Sequence, residues 1–236
     1  MQEYHKVQNI ALQTLYDIKH VIKEGLSEKD IVEECQRLLV SYGLTESWYH
    51  GILAFVLVGE RTTLSISGRE YLPSELTVKN HDLITIDLSP EKDGFWGDCA
   101  RSYIVENGIV TDDPNNASLS EGVKIEKKLH KIMQTVVTPQ TTMHELFVAI
   151  NREIQNMEYV NLDFRRNLGH SIEKDINARR YIEEGNHTCL GDVPLFTFEP
   201  HIRHKDGQWG FKRENIYYFE KGEIFTLGNQ ELLEKL

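Results

Sequence analysis

Asp87 and Asp98 stand eleven residues apart in the stretch Leu83–Tyr103, LITIDLSPEKDGFWGDCARSY. Ile84, Ile86 and Leu88 alternate with Thr85 and Asp87, which is the period of a strand. Pro90 to Gly94 reads as a turn. Phe95–Tyr103 reads as a second short extended run that brings Asp98 back towards Asp87 on an adjacent strand. Two carboxylates brought together away from water repel and are costly unless compensated. A divalent cation is the direct compensation, and oxygen donors suit Mg, Mn and related ions. On these two residues alone, a turn-stabilising Asp and a surface Asp fit equally well.

Three further positions in the second half call for the same scrutiny, although a histidine such as His170 is by itself more often structural or simply exposed. His170 sits in Asn167-Leu168-Gly169-His170-Ser171-Ile172, where a glycine allows a tight backbone approach beside the ring. Glu199 ends the apolar run Val193–Phe198 and precedes Pro200. A carboxylate at the end of so apolar a strand is more informative than one on a polar surface. Glu214 lies in Phe211-Lys212-Arg213-Glu214-Asn215, just before an expected strand at Ile216–Phe219. Glu220 is a rival, but it precedes Lys221-Gly222 and reads better as a turn residue.

The elements that must hold these residues follow from periodicity and caps. Val7, Ile10, Ala11, Leu15, Ile18, Val21 and Ile22 predict an amphipathic helix over Val7–Glu24, stopped by Gly25. Ser27 and Asp30 predict the cap of a second helix that carries Ile31, Cys35, Leu38 and Leu39 and ends near Gly43. The polar residues of these two helices carry no chemical role in this reading. Ile52–Val58 is a continuous apolar run between Gly51 and Gly59, a central strand, and Arg61–Ser67 a second extended stretch. His50, just before the first of these, either lines a site or is an ordinary boundary histidine.

A turn at Glu106-Asn107-Gly108 and the polar linker Thr111–Asn116 lead to a helix over about Ser118–Val137. Val123, Ile125, Leu129, Ile132, Met133 and Val136 form its apolar side, with Glu126, Lys127 and Lys128 facing water. Thr142 with Glu145 is a capping box for the next helix, which runs to about Asn156 and buries Leu146, Ile150 and Ile154. Ile224–Leu227 is a last strand. Long helix, capped second helix, then strands occurs twice. That order predicts one domain over 1–236 with two pseudo-symmetric halves, about 1–112 and 113–236. The fold class is α+β, with a mostly antiparallel sheet covered by helices on one face and a site between the halves.

The chain of 236 residues is long enough for a substantial core. Its 26 basic against 37 acidic side chains give a net charge of −11, which argues against a nucleic-acid partner. Cys35, Cys99 and Cys189 are odd in number and far apart, as expected of reduced thiols and unlike a disulfide framework or zinc cluster. The start, MQEYHKVQNI, has no apolar signal core and no long uncharged apolar run follows, so a cytoplasmic, membrane-free protein is expected.

Taken together, IDLSPEKDGFWGD, NLGHSI, FTFEP and KREN resemble the pita-bread metallopeptidase superfamily of methionine aminopeptidases, Xaa-Pro aminopeptidases, prolidases and creatinase-like proteins. The resemblance spans nearly the whole chain, and the order Asp, Asp, His, Glu, Glu is far more specific than any one piece. It implies a pseudo-twofold pita-bread fold, the catalytic domain alone, without the additional N-terminal domain of the longer prolidase-like members. It implies Asp87 as ligand of one metal, Asp98 and Glu214 as bridges between two, and His170 and Glu199 as ligands of the other. The cofactors would be two divalent ions (Mn, Co, Fe or Zn, with Mn the first expectation). Two ions so close lower the pKa of a shared water and stabilise the oxyanion formed at a peptide carbonyl. Glu199 would shuttle the proton to the leaving amine.

Two departures qualify what the resemblance implies. Relatives carry a histidine shortly before the first metal Asp, where this chain reads Ser65-Ile66-Ser67-Gly68-Arg69. They also carry one seven residues beyond the metal-binding histidine, where this chain has Asn177. His201, beside Glu199-Pro200, and His50 are the candidates to replace them. The leading expectation is a dinuclear metal-dependent aminopeptidase-like hydrolase of short peptides, Xaa-Pro peptides included. The alternatives are a creatinase-like hydrolase of a small C–N or amide-like compound, and a non-catalytic metal-binding protein that retains the fold. A homodimer is compatible with the resemblance.

Overall fold

The computed structural model describes the whole chain, Met1–Leu236. Helix α1 (Gln2–Ile18) forms because Val7, Ala11, Leu12, Leu15 and Ile18 fall on one stripe, and all of them are buried. It starts and stops earlier than the expected Val7–Glu24. Beyond Ile18 the backbone finds other partners: Lys23 bridges to Ile109, Glu24 N–H donates to the Gly108 carbonyl and Gly25 N–H to that of Val78. Long-range pairing therefore satisfies groups that a continued helix would have used. Helix α2 (Glu28–Ser41) begins as expected. Ser27 Oγ accepts from the Asp30 N–H, and the Asp30 carboxylate accepts from the Ser27 N–H at 2.8 Å, so Asp closes the capping box.

The strands of the first half are β1 (Glu46–Ser47), β2 (Ala54–Val58), β3 (Asp82–Leu88), β4 (Pro90–Lys92), β5 (Phe95–Trp96), β6 (Cys99–Glu106) and β7 (Ile109–Val110). They form an antiparallel sheet in the order β2-β3-β6-β7 and a small sheet β1-β4-β5. Two local expectations are corrected here. Residues Arg61–Ser67 are not a strand: Gly59–Thr63 winds into a 3-10 turn closed by Thr62 Oγ1 and Thr63 Oγ1, which donate to the carbonyls of Gly59 and Glu60. The span Pro90–Gly94 is only partly a turn. Pro90–Lys92 pairs on both sides as β4, and the chain reverses at Asp93-Gly94, both at positive φ.

The second half contains α3 (Ala117–Val136), α4 (Met143–Asn156), β8 (Tyr159–Asn161), β9 (Phe196–Phe198), β10 (His201–His204), β11 (Phe211–Lys212), β12 (Asn215–Glu220), β13 (Glu223–Thr226) and a short α5 (Gln230–Lys235). Its strands pair as β11-β10-β8 and β13-β12-β9. The Thr142–Glu145 capping box is present, and α4 buries Leu146, Ile150 and Ile154. Glu126 does not face water as α3's pattern suggests. It is buried, accepts a hydrogen bond from Ser102 Oγ at 2.8 Å and lies 4.0 Å from Arg213. Burial pushes its carboxyl up to about 7 despite these partners.

Alternation along β3 divides the apolar contacts. Ile84, Ile86 and Leu88 pack with α1, α2 and β2, while Leu83 joins the cluster of α3, α4, β9 and β12. Asp87 shares the face of Leu83 and Thr85, away from the first core. A third cluster, including Trp48, Trp96, Ile172, Leu195 and Ile216, takes residues from both halves. The halves also join through backbone: Ala100 and Glu214 exchange N–H···O bonds of 3.4 and 3.1 Å. Cys35 and Cys99 are buried thiols, and Cys189 is half-buried. No helix is long and apolar enough to cross a membrane.

Candidate metal centre

Each acidic residue of the centre is placed by a different local device. Asp87 is the next-to-last residue of β3, opposite Ala100 of β6 and Phe55 of β2. Asp98 lies between β5 and β6, and its backbone is clamped by Gln8 of α1. Gln8 Nε2 donates to the Asp98 carbonyl at 2.9 Å, and Gln8 Oε1 accepts from the Asp98 N–H at 2.8 Å. Glu214 follows β11 and is held by its bridge to Ala100. Arg101, itself buried, donates from Nη1 to the carbonyls of Ala100 and Glu214, both at 2.7 Å. Glu199 follows β9 and donates its N–H to the Leu168 carbonyl.

His170 follows Gly169, whose φ is +140°. A Cβ there would lie 2.2 Å from the Thr197 carbonyl oxygen, so only glycine lets this segment approach β9. The approach is stitched by His170 N–H to Thr197 Oγ1 at 3.1 Å and Thr197 N–H to the His170 carbonyl at 2.7 Å.

The side chains converge. Ligand atoms of Asp98, His170 and Glu214 lie within 4.8 Å of one another, as do those of Asp87, Glu199 and Glu214. Glu214 belongs to both groups. The first group is deeply buried, whereas Asp87 and Glu199 lie at the more open side. Burial, then the charges of Asp87 and Glu199, raises the Asp98 carboxyl well above the usual range; burial, then Asp98 and Glu199, does the same to Glu214. His170 Nδ1 faces the Ser171 carbonyl at 2.9 Å, so it carries the proton and leaves Nε2 as the acceptor, 3.5 Å from Asp98 Oδ2 and 3.9 Å from Glu199 Oε1. Burial, then Arg179, pushes the ring down to about 3, so it is neutral at pH 7.

These residues fit divalent cations on an observation of the fold itself. Asp98 Oδ2 and Glu214 Oε1 are buried with no hydrogen-bond partner, while the neighbouring His170 Nε2 is a lone-pair donor. Buried oxygens without partners are rare because each forfeits its hydration. Hard and borderline cations satisfy that donor set.

The other expected positions lie in or beside the same cavity of about 430 Å³. His201 lines it with Nε2 bonded to the Thr62 carbonyl at 2.7 Å, and burial, then Lys212, pushes its ring down to about 4. His50 is an exposed residue at φ 53°, lowered by burial and by Arg69 and Arg179. Asn177 lines the cavity too, bonded to the Asp175 carboxylate through both its N–H and its amide. The loop Ser65–Arg69 reaches the cavity as well, with Ser65 Oγ accepting from the Phe164 N–H.

Sequence reasoning missed Gln8 and Lys212. Gln8 occupies the apolar stripe of α1 with Ala11, Leu12 and Leu15, and a fully buried amide on such a stripe signals a long-range partner. Lys212 Nζ lies 2.5 Å from Asp87 Oδ2 and 3.0 Å from Glu199 Oε2. Burial alone would lower its ammonium, but Asp87, Glu199 and Glu214 outweigh that and hold it well above its ordinary value. Two-residue spacing from Glu214 in an extended segment was the available signal, since alternate residues share a face.

The Gln8 clamp yields a direct expectation. Gln8→Leu keeps the helix stripe but strands both backbone groups of Asp98, at a cost of roughly 2–4 kcal/mol. Chemical denaturation of the two proteins measures it, and a loss within 0.5 kcal/mol of zero (about the scatter of surface substitutions) would show that the clamp is dispensable.

The description Metallopeptidase family M24 matches residues 2–221, and the chain belongs to that family. It is 26% identical over 170 residues to Methionine aminopeptidase 1 of Bacillus subtilis, covering 71% of this chain and 63% of that protein. It is 23% identical over 197 residues to a protein described as Putative Xaa-Pro aminopeptidase of Mycoplasma pneumoniae, covering 84% of this chain and 52% of the relative. The chain thus spans between about half and just under two thirds of these relatives' own lengths.

Among solved structures, the prolidase of Thermococcus sibiricus superposes with a TM-score of 0.79 at 19% identity, over 96% of this chain and 58% of that one. Methionine aminopeptidase of Thermotoga maritima superposes with a TM-score of 0.76 at 16% identity, over 94% of both chains. The fold is the pita-bread fold expected from the sequence motifs.

Proposed function

We propose that this M24 metallopeptidase is a dinuclear aminopeptidase that removes the N-terminal residue of short peptides, Xaa-Pro peptides among them. The observation that carries the reading is the convergence of Asp87, Asp98, His170, Glu199 and Glu214 in one cavity, with two of their buried oxygens unpartnered. Asp87, Asp98, His170, Glu199 and Glu214 would together hold two divalent ions, with Mn the first to try. Such ions supply Lewis acidity, lowering the pKa of water and polarising a peptide carbonyl.

The chain's own residues do the rest. His170 stays neutral because burial and then Arg179 disfavour its charged form, and it is oriented by its Nδ1–H, which donates to the Ser171 carbonyl. Glu199, on the more open side, takes the proton from the attacking water and delivers it to the departing amine nitrogen. His201, held neutral, and His50, the exposed cavity histidine, take the substrate-facing roles.

The test is release of N-terminal amino acids from a peptide panel by the Mn-supplemented protein, beside Glu199→Gln. The expected loss in E199Q is about 10²- to 10⁴-fold, the usual worth of general acid–base catalysis, with the circular dichroism spectrum unchanged. No release across the panel, beside measured metal binding, would sink the peptidase reading.

Lys212 favours a second reading of the metal content. Its ammonium already contacts Asp87 and Glu199, so it would serve as the second positive charge beside a single ion at Asp98, His170 and Glu214. Metal analysis of the loaded protein separates the two. Two ions per chain support the dinuclear reading, and one ion that becomes two in Lys212→Met supports the alternative.

A further inference from the structure

Lys212 and Glu214 reach the centre from one short stretch of chain, and a buried polar network grips the backbone of that stretch. The Lys212 N–H donates to Ser102 Oγ at 3.0 Å, and His130 Nε2 donates to the Arg213 carbonyl at 3.0 Å. Arg101, which already holds the Glu214 carbonyl, donates through Nη2 to the Asn215 amide oxygen at 2.8 Å. Arg101 and Ser102 are neighbours on β6, while Glu126 and His130 stand four residues apart on α3 and so share a face. Arg101, Glu126, His130 and Arg213 are all buried. The proposed hydrolysis uses none of them.

Within this network Ser102 has one proton and two acceptors for it. Its Oγ lies 2.8 Å from Glu126 Oε2 and 3.2 Å from the Lys212 carbonyl oxygen, and the Lys212 N–H already fills one of its lone pairs. With Glu126 ionised, the shorter, charge-assisted bond takes the proton, and the Lys212 carbonyl loses Ser102 as a donor. With Glu126 protonated, its own O–H donates to the second lone pair of Ser102, and the Ser102 proton turns to Lys212. Both backbone groups of Lys212 are then held by one side chain.

The surroundings of Glu126 poise this choice near neutrality. Arg213 faces it at 4.0 Å from the β11–β12 junction, Arg101 from β6 and Lys127 from α3, and all three favour the carboxylate. Burial outweighs them and brings the group to about 7. His130 adds no charge, since burial and then Arg213 push its ring well below the ordinary value. Arg213 also donates to the Leu236 carbonyl just past α5. Half-buried Ser102 lines a second cavity of about 430 Å³ with Arg101 and Lys127, where the remaining charges are Lys19, Asp112, Lys124, Glu234 and Lys235. That cavity shares no lining residue with the one that holds the centre, so solvent meets Ser102 without passing the candidate ligands.

We propose that Glu126 is a positioning residue for the candidate centre: acting through the Ser102 hydroxyl, it sets whether the Lys212 carbonyl is held, and so how firmly the stretch bearing Lys212 and Glu214 is fixed. The consequence for metal binding rests on the reading of the centre given above, whereas the proton choice at Ser102 does not.

The dipeptide Lys-Arg occurs once in the chain, at Lys212-Arg213. Isotopic labelling of lysine at the carbonyl carbon and arginine at the amide nitrogen therefore gives a single NMR cross peak, which reads the Lys212 carbonyl in the full, metal-stripped chain. In wild type the carbonyl shift is expected to titrate with a midpoint of about 7, in the direction of a lost hydrogen bond as pH rises. Glu126→Gln offers Ser102 an N–H donor at every pH, so that step should vanish and the peak should stay at its hydrogen-bonded position. Ser102→Ala should abolish the step at the opposite position. A wild-type peak that stays put between about pH 6 and 8 overturns the proposal, since a linked group must show its titration about its own pKa. A step of equal size in E126Q or in S102A also overturns it.

Calorimetric Mn affinity gives the functional readout. Ser102→Ala is expected to weaken binding about three- to tenfold, the worth of one hydrogen bond. Ser102→Thr, which keeps the hydroxyl, should restore it to within about twofold. Equal affinity in S102A and wild type removes the positioning role. Should wild type bind no Mn, the metal reading falls by itself, and the cross peak still decides the proton choice. S102A and S102T keep the comparison available if E126Q does not fold.

Discussion

Glu214→Gln is expected to remove both metal-dependent hydrolysis and metal-dependent stabilisation. Glu214 is the one carboxylate common to the two candidate ligand groups, so its loss takes a negative charge from both. Changing even a group behind a metal ligand typically costs 10- to 100-fold in affinity, and loss of a shared ligand should cost at least about 100-fold. At a metal concentration about 100 times the wild-type Kd, the wild type gains about 3 kcal/mol of stability, and E214Q should gain less than about 1 kcal/mol under the same conditions. Thermal melts with and without Mn measure this. An equal shift in both proteins would remove Glu214 from the ligand set.

The pH dependence has a definite sign. The Asp98 and Glu214 carboxyls are raised in the folded chain, chiefly by burial and then by neighbouring carboxylates. For a raised acid, the folded state holds the proton longer than the unfolded one. The associated stability is therefore present at low pH and is lost as pH rises through the raised values. The chelated wild type should accordingly lose stability from mildly acid to neutral pH, and E214Q should lose less. Bound metal opposes that loss, because it binds the deprotonated ligands, so the Mn-induced shift should grow over the same window.

Gly169→Ala should be strongly destabilising. The new Cβ would meet the Thr197 carbonyl oxygen at 2.2 Å and its carbon at 2.8 Å, at a backbone φ of +140° that side chains rarely adopt. The neighbours cannot yield cheaply. His170 and Thr197 are joined by two hydrogen bonds, Ser171 bridges to Phe196, and Ile182 N–H donates to the Gly169 carbonyl at 2.8 Å. Overpacking plus strain at such a position costs about 3–5 kcal/mol, which for a domain of this size lowers Tm by about 10 °C. Since the displaced segment carries His170, metal affinity should fall with stability. A variant that melts within about 2 °C of wild type (under 1 kcal/mol by the same scaling) would show that the approach of Gly169 to β9 is looser than the geometry requires.

Much of the fold was legible because its signals are local. The alternation of Ile84, Ile86 and Leu88 specified β3, and Ser27–Asp30 and Thr142–Glu145 marked the starts of α2 and α4, since a cap is satisfied within one turn. The end of α1 was misread for the complementary reason. Val21 and Ile22 continue its periodicity, yet the backbone after Ile18 is satisfied by Val78 and Gly108, far along the chain. Glu126 was placed in water because its immediate neighbours are lysines, whereas its environment is Ser102 and Arg213.

The same division runs through the site. The sequence alone determined the donor inventory: two aspartates in an extended hairpin, a histidine after a glycine, and two glutamates beside apolar strands. It was the resemblance of that order to the metallopeptidase pattern that favoured a divalent-metal chemistry, since the two aspartates alone fitted a structural role equally well. Only the tertiary structure decided that Glu214 lies in both groups of converging donors, that Gln8 clamps Asp98 from 90 residues away, and that Lys212 meets Asp87 and Glu199. It alone gathered Arg69, Arg165 and Arg179 around the same cavity. Local hydrogen bonds and side-chain periodicity are written into consecutive residues. Convergence of charges from distant segments comes from how the sheets of the two halves meet at Ala100 and Glu214.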